Sequence, residues 1–167
     1  MSTSSASTPK AAWRVGDFGP LGWLETILKL GGVGVGIAAL AVALGHDASA
    51  PAGTRLAAVV VLGLLCLALL AAIADRLADR EIIGMIFIPL MNAGHLAMLA
   101  ALIVSDDVHG HLAAFAALML AGDVVKLVFL RVTGFRVRDV SPAVVYSLVS
   151  TFVVGYLALI ALAVAAL

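Results

Sequence analysis

Polar residues divide this chain into five long apolar runs, at 27–44, 56–74, 82–104, 112–130 and 143–167, each 18 to 25 residues long. A helix needs about 20 residues to cross a hydrocarbon core roughly 30 Å thick. Tilt or local thinning accommodates the shorter runs. The runs are continuous rather than alternating, which excludes the short two-residue-period strands of a membrane barrel. The pattern therefore predicts an all-α membrane protein, a bundle of five transmembrane helices. The first run holds four glycines (Gly31, Gly32, Gly34 and Gly36), which membrane helices tolerate. The connections are short, so consecutive helices are expected to pack as antiparallel hairpins.

Before the first run, residues 1–12 are rich in Ser, Thr and Ala and read as a disordered tail. They lack the apolar core and small-residue cleavage site of a secretory signal. Residues 13–26 mix Trp13, Trp23 and Pro20 with charges, a composition suited to the headgroup layer. Residues 27–167 then form a single transmembrane domain.

Composition narrows the partners. With 63% hydrophobic and 12% charged residues, the chain has too little polar surface to face water, so its main solvent is lipid. Ten basic and ten acidic residues cancel, leaving no basic surplus for nucleic acid. Their placement is informative: Lys10, Arg14, Arg76, Arg80, Arg131, Arg136 and Arg138 fall on one side of a five-span topology and Arg55 on the other. The positive-inside rule then puts the N-terminus in the cytoplasm and the C-terminus outside, in a plasma membrane of bacterial type. Cys66 is the lone cysteine, so no intramolecular disulfide can form. The motifs of soluble enzymes are missing, and the Gly31–Gly36 stretch lies in an apolar helix rather than a phosphate-binding loop. No enzymatic activity is expected.

Candidate chemistry comes from the polar residues inside the runs. Asp123 and Lys126 interrupt the fourth, and Asn92 and His95 lie near the middle of the third, just after Pro89. Pairing these two runs as a hairpin, at about 1.5 Å per residue, brings Asp123 to the level of Asn92 and Arg131 to that of Glu81. Asn92, His95, Asp123 and Lys126 then make one intramembrane cluster, with Glu81 and Arg131 at its cytoplasmic mouth. Intramembrane ionisable groups mark either a neutralised clasp or a proton or ion pathway, and His95 titrates near neutral pH. Lys126 can snorkel to the headgroups, whereas the short Asp123 side chain needs a partner. Pro89 should kink the third helix and free a carbonyl beside Asn92 and His95.

Three further patterns are candidates. Gly32, Gly36, Ala39 and Ala43 share one face of the first helix, and Gly34, Ala38, Ala41 and Gly45 share another; such faces permit close helix packing. His46, Asp106, Asp107, His109 and His111, with Asp47, gather in the outer loops and carry metal-ligand chemistry, although their spacing fits no metal signature and a polar turn explains them better. No cofactor is predicted; the residual candidate is a haem or a singly ligated pigment at His95, which has no second histidine at its depth.

These readings converge on a multi-pass membrane protein, expected to be a non-enzymatic accessory, scaffold or assembly subunit that binds other membrane subunits or a second copy of itself. The alternative is a small proton- or ion-coupled transporter or channel protomer using the intramembrane cluster. A haem-, pigment- or metal-binding redox component is the third class.

Overall fold

The computed structural model describes residues 19–78, 82–133 and 142–166. The expected disordered tail, Glu81, Arg136 and Arg138 lie outside the described residues. The described chain forms five helices: α1 (Pro20–Ala43), α2 (Gly53–Ala78), α3 (Ile82–Val104), α4 (His109–Thr133) and α5 (Pro142–Ala165). Each is long and apolar enough to cross a membrane. Among the described residues there is no strand.

α1 begins at Pro20, well before the apolar run at 27, and so takes in the end of the expected interfacial segment. Proline suits the first turn, where its missing N–H has no partner to lose. Glu25 then lies one turn before Lys29 and accepts a hydrogen bond from its Nζ at 2.8 Å, so both charges stay within the helix. α3 continues through Pro89.

The helices close into a ring in the order α1, α3, α2, α5, α4 and back to α1. This corrects the expectation of consecutive hairpins. α2 and α3 are neighbours, as are α4 and α5, but α1 stands between α3 and α4. Side-chain size explains the insertion. Gly36 lies directly against the Gly94 carbonyl of α3, and a Cβ on Gly94 would come within 2.7 Å of the Val33 Cα. On the other flank, a Cβ on Gly32 would meet the Met119 Cε at 2.9 Å, and one on Gly122 of α4 would meet the Lys29 Cγ at 2.8 Å. Close backbone approach of this kind is what small residues allow in membrane helices.

Among the described residues, the interior of the ring is packed with side chains. Leu62, Met98, Leu102, Leu112, Phe115, Met119, Tyr156 and Leu159 fill it. The outer surface is a belt of exposed Leu, Ile and Val, including Ile27, Leu64, Ile86 and Val154, as a lipid-facing surface requires.

Candidate functional site

Two polar layers cross the bundle, one on the α1–α4 seam and one on the ring interior. The first is a ladder of alternating charge. Lys29 Nζ of α1 sits 2.7 Å from Asp123 Oδ1 of α4 and 2.8 Å from Glu25 Oε1, and Lys126 Nζ lies 3.5 Å from the same Glu25 oxygen. The order Asp123–Lys29–Glu25–Lys126 sums to zero charge. Exposure falls inward along it: the side chain of Lys126 is 34% exposed and that of Asp123 only 7%. The deep pair thus depends on its partners, because a lone charge at such depth has nothing to replace its lost hydration.

The second layer centres on His95. Its Nδ1 is 2.8 Å from the Met91 carbonyl, one turn back on α3, and its Nε2 is 2.7 Å from the Tyr156 hydroxyl of α5. The carbonyl can only accept, so Nδ1 carries a proton, and in the neutral ring Nε2 accepts from the Tyr156 O–H. Phe115 of α4 packs edge-on against the imidazole at 5.0 Å between centroids. The side chains of α3, α4 and α5 therefore meet here across the bundle.

The sequence reading grouped Asn92, His95, Asp123 and Lys126 in one cluster, and the structure distributes them otherwise. Asp123 pairs with Lys29, Lys126 with Glu25, and His95 with Tyr156. The cause is the ring order. With α1 between α3 and α4, the polar stripe of α4 meets α1 first. Register shifts too: the Gly36–Gly94 and Lys29–Gly122 contacts put Asp123 about one and a half turns below Asn92, and roughly 13 Å below His95 at 1.5 Å per residue. Asn92 occupies the interval between the layers; it is buried and its Oδ1 has no hydrogen-bond partner among the described residues. Arg131 is exposed at the end of α4.

Sequence reasoning missed Glu25, Lys29, Tyr156 and the role of Arg55. Lys29 sits inside the first apolar run, and its signal was available: it is the basic counterpart of Asp123, with an acidic residue one turn away. The Gly32, Gly36, Ala39 and Ala43 face of α1 is buried in the ring, whereas Gly34, Ala38, Ala41 and Gly45 are exposed.

At the opposite end, Arg55 is nearly fully buried and ties two loops together. Its guanidinium donates to the Ser49 carbonyl at 2.8 Å and the Ser49 hydroxyl at 3.0 Å, and reaches Asp106 Oδ1 at 2.8 Å. Ser49 N–H donates to the Val104 carbonyl, completing the knot. His46 Nε2 lies 3.6 Å from Asp107 Oδ2, so the two histidine-bearing loops do meet. Among the described residues, however, no three of the candidates His46, Asp106, Asp107, His109 and His111 converge as ligands for a metal ion. Both ring nitrogens of His95 are engaged, so a haem or pigment would have to displace Tyr156 to gain an axial ligand. No protein-family model, curated protein or solved structure matches the chain.

Proposed function

We propose that this protein is a non-enzymatic accessory, scaffold or assembly subunit of a plasma membrane, with its N-terminus cytoplasmic and its C-terminus extracytoplasmic. The observation that carries this reading is the double engagement of Lys29 by Glu25 and Asp123. Charges neutralised inside the chain make a self-sufficient platform, and its outer helical faces are left for other subunits or a second copy. The exposed Gly34, Ala38 and Ala41 on α1 suit close contact with a partner helix. The test is co-purification: wild-type protein is extracted in mild detergent beside a variant carrying Gly34→Leu and Ala38→Leu. The scaffold reading expects a defined partner, or a second copy, that the variant loses while its own fold persists. Identical recovery from both would remove this face as a docking surface.

The second reading is a proton- or ion-coupled transporter or channel protomer. It is favoured by one observation, the unpartnered Asn92 Oδ1 in the interval between the Lys29–Asp123 pair and the His95–Tyr156 pair. A chain of waters through that interval would link the two layers. Flux measurements on reconstituted protein separate the two readings.

A further inference from the structure

Among the described residues, the outward faces of α2, α3 and α4 are apolar through their middles. Leu64 and Leu67 point out from α2, Leu90 and Leu96 from α3, and Val124 and Val128 from α4. α5 differs. Ser147, Ser150 and Thr151 are all exposed, although the helix is apolar enough to cross the membrane. At 1.5 Å per residue they lie about 8 to 14 Å along the axis from Pro142, inside a hydrocarbon core roughly 30 Å thick rather than at its edge.

Lipid tails neither donate nor accept hydrogen bonds, so a hydroxyl facing them loses what water gave it. Thr151 Oγ1 donates to the Ser147 carbonyl one turn back, at 2.9 Å. That bond uses its proton and leaves its lone pairs for another donor. The Ser147 and Ser150 hydroxyls have no such bond among the described residues.

The two serines belong to a seam. Ser147, Ser150, Val154, Leu157 and Ala161 recur at steps of three and four, and all five are exposed. This 3.5-residue repeat lets two helices interlock along a shallow crossing, and polar residues within it fix register and oligomeric state. The hydroxyls decide what covers the seam. An acyl chain offers them nothing. A charged side chain from another protein would meet no counter-charge, because α5 carries none. A second copy related by a two-fold axis along the membrane normal brings the same hydroxyls to the same depth. Each hydroxyl both donates and accepts, so the two faces complement each other.

We propose that two copies of this chain form a parallel dimer through the outer face of α5, with Ser147, Ser150 and Thr151 hydrogen-bonding across the two-fold axis. The dimer rests on the scaffold reading for its purpose, a paired platform, and makes α5 the seat of the second copy.

The test is cysteine crosslinking of the full chain in liposomes, in a Cys66→Ala background with one added cysteine at a time. A two-fold axis sets equivalent seam positions of the two copies side by side. Val154→Cys and Ala161→Cys should therefore crosslink to a dimer under mild oxidation, whereas Ala38→Cys on α1 and Leu64→Cys on α2 should stay monomeric. Energy transfer between labelled copies at falling protein-to-lipid ratio then measures the dissociation constant. The paired Ser147→Ala, Ser150→Ala variant keeps its helix, since alanine is the better helix former. It should weaken the dimer about tenfold, the scale of two interhelical hydrogen bonds. A chain that stays monomeric at every protein-to-lipid ratio overturns the proposal, without touching the partner-recovery test at α1. So does a dimer that crosslinks at Ala38 or Leu64 and not at Val154, or one that the paired serine variant holds as tightly as wild type.

Discussion

Lys29 Nζ and Asp123 Oδ1 meet at 2.7 Å across the α1–α4 seam, on the flank where Gly122 lets the lysine stem pass. The seam buries the two side chains together, and Glu25 holds the lysine from its other side. Breaking such a pair from one side leaves the other charge stranded. Asp123→Leu alone should therefore destabilise the bundle by about 3–5 kcal/mol, less whatever Glu25 recovers for Lys29. The paired replacement Lys29→Met with Asp123→Leu should come back to within about 1–2 kcal/mol of wild type. Unfolding titrations in mixed micelles, arranged as a double-mutant cycle, measure this coupling. A cycle with no coupling would mean that the contact does not hold the seam.

Glycine substitutions on α1 should rank by what each new methyl meets. Gly36→Ala drives a Cβ into the Gly94 backbone carbonyl, which cannot swing aside, and should cost about 1–3 kcal/mol. Gly32→Ala meets only the flexible end of Met119 and should cost less. Gly34→Ala has open space and should stay within about 0.5 kcal/mol of wild type. Stability measured on the three variants under one condition checks the order Gly36, Gly32, Gly34.

Removing the Tyr156 hydroxyl leaves His95 Nε2 buried without its donor. Tyr156→Phe should lose about 1–2 kcal/mol, with no change in helix content by circular dichroism. An imidazole ¹⁵N shift unchanged from wild type would show that the hydroxyl does not donate to Nε2.

Arg55 should behave as a fastener for the loops. In Arg55→Met, amide exchange should accelerate at residues 44–52 and 105–108, both tied to the guanidinium through Ser49 and Asp106, while the middles of α3 and α4 keep their protection. Uniform acceleration along the chain would point instead to loss of global stability.

The helix count was legible because lipid imposes continuous apolar length, and five runs carry that signal without help from tertiary contacts. The start of α1 was not. Glu25 looks like a headgroup residue until its partners one turn away and on α4 are known. Neighbour order was equally hidden. Periodicity shows which face of α1 is small, but two small faces cannot say which helices they admit, and α1 slips between α3 and α4 on the strength of Gly36 and Gly94. That single insertion moved Asp123 from Asn92 to Lys29. The sequence reading assigned Asp123 a need for a partner; it lacked the three-dimensional neighbour that meets it.

The central claim is that the intramembrane charges hold helices together rather than carry protons or ions. Its most direct test is acid-driven proton and cation flux into liposomes containing the purified full chain, with the paired Lys29→Met, Asp123→Leu protein alongside. The account predicts flux equal to empty liposomes for both. Flux through the wild-type protein that disappears in the folded paired variant would contradict it, and would make the route from Asp123 past Asn92 to His95 a conduction path.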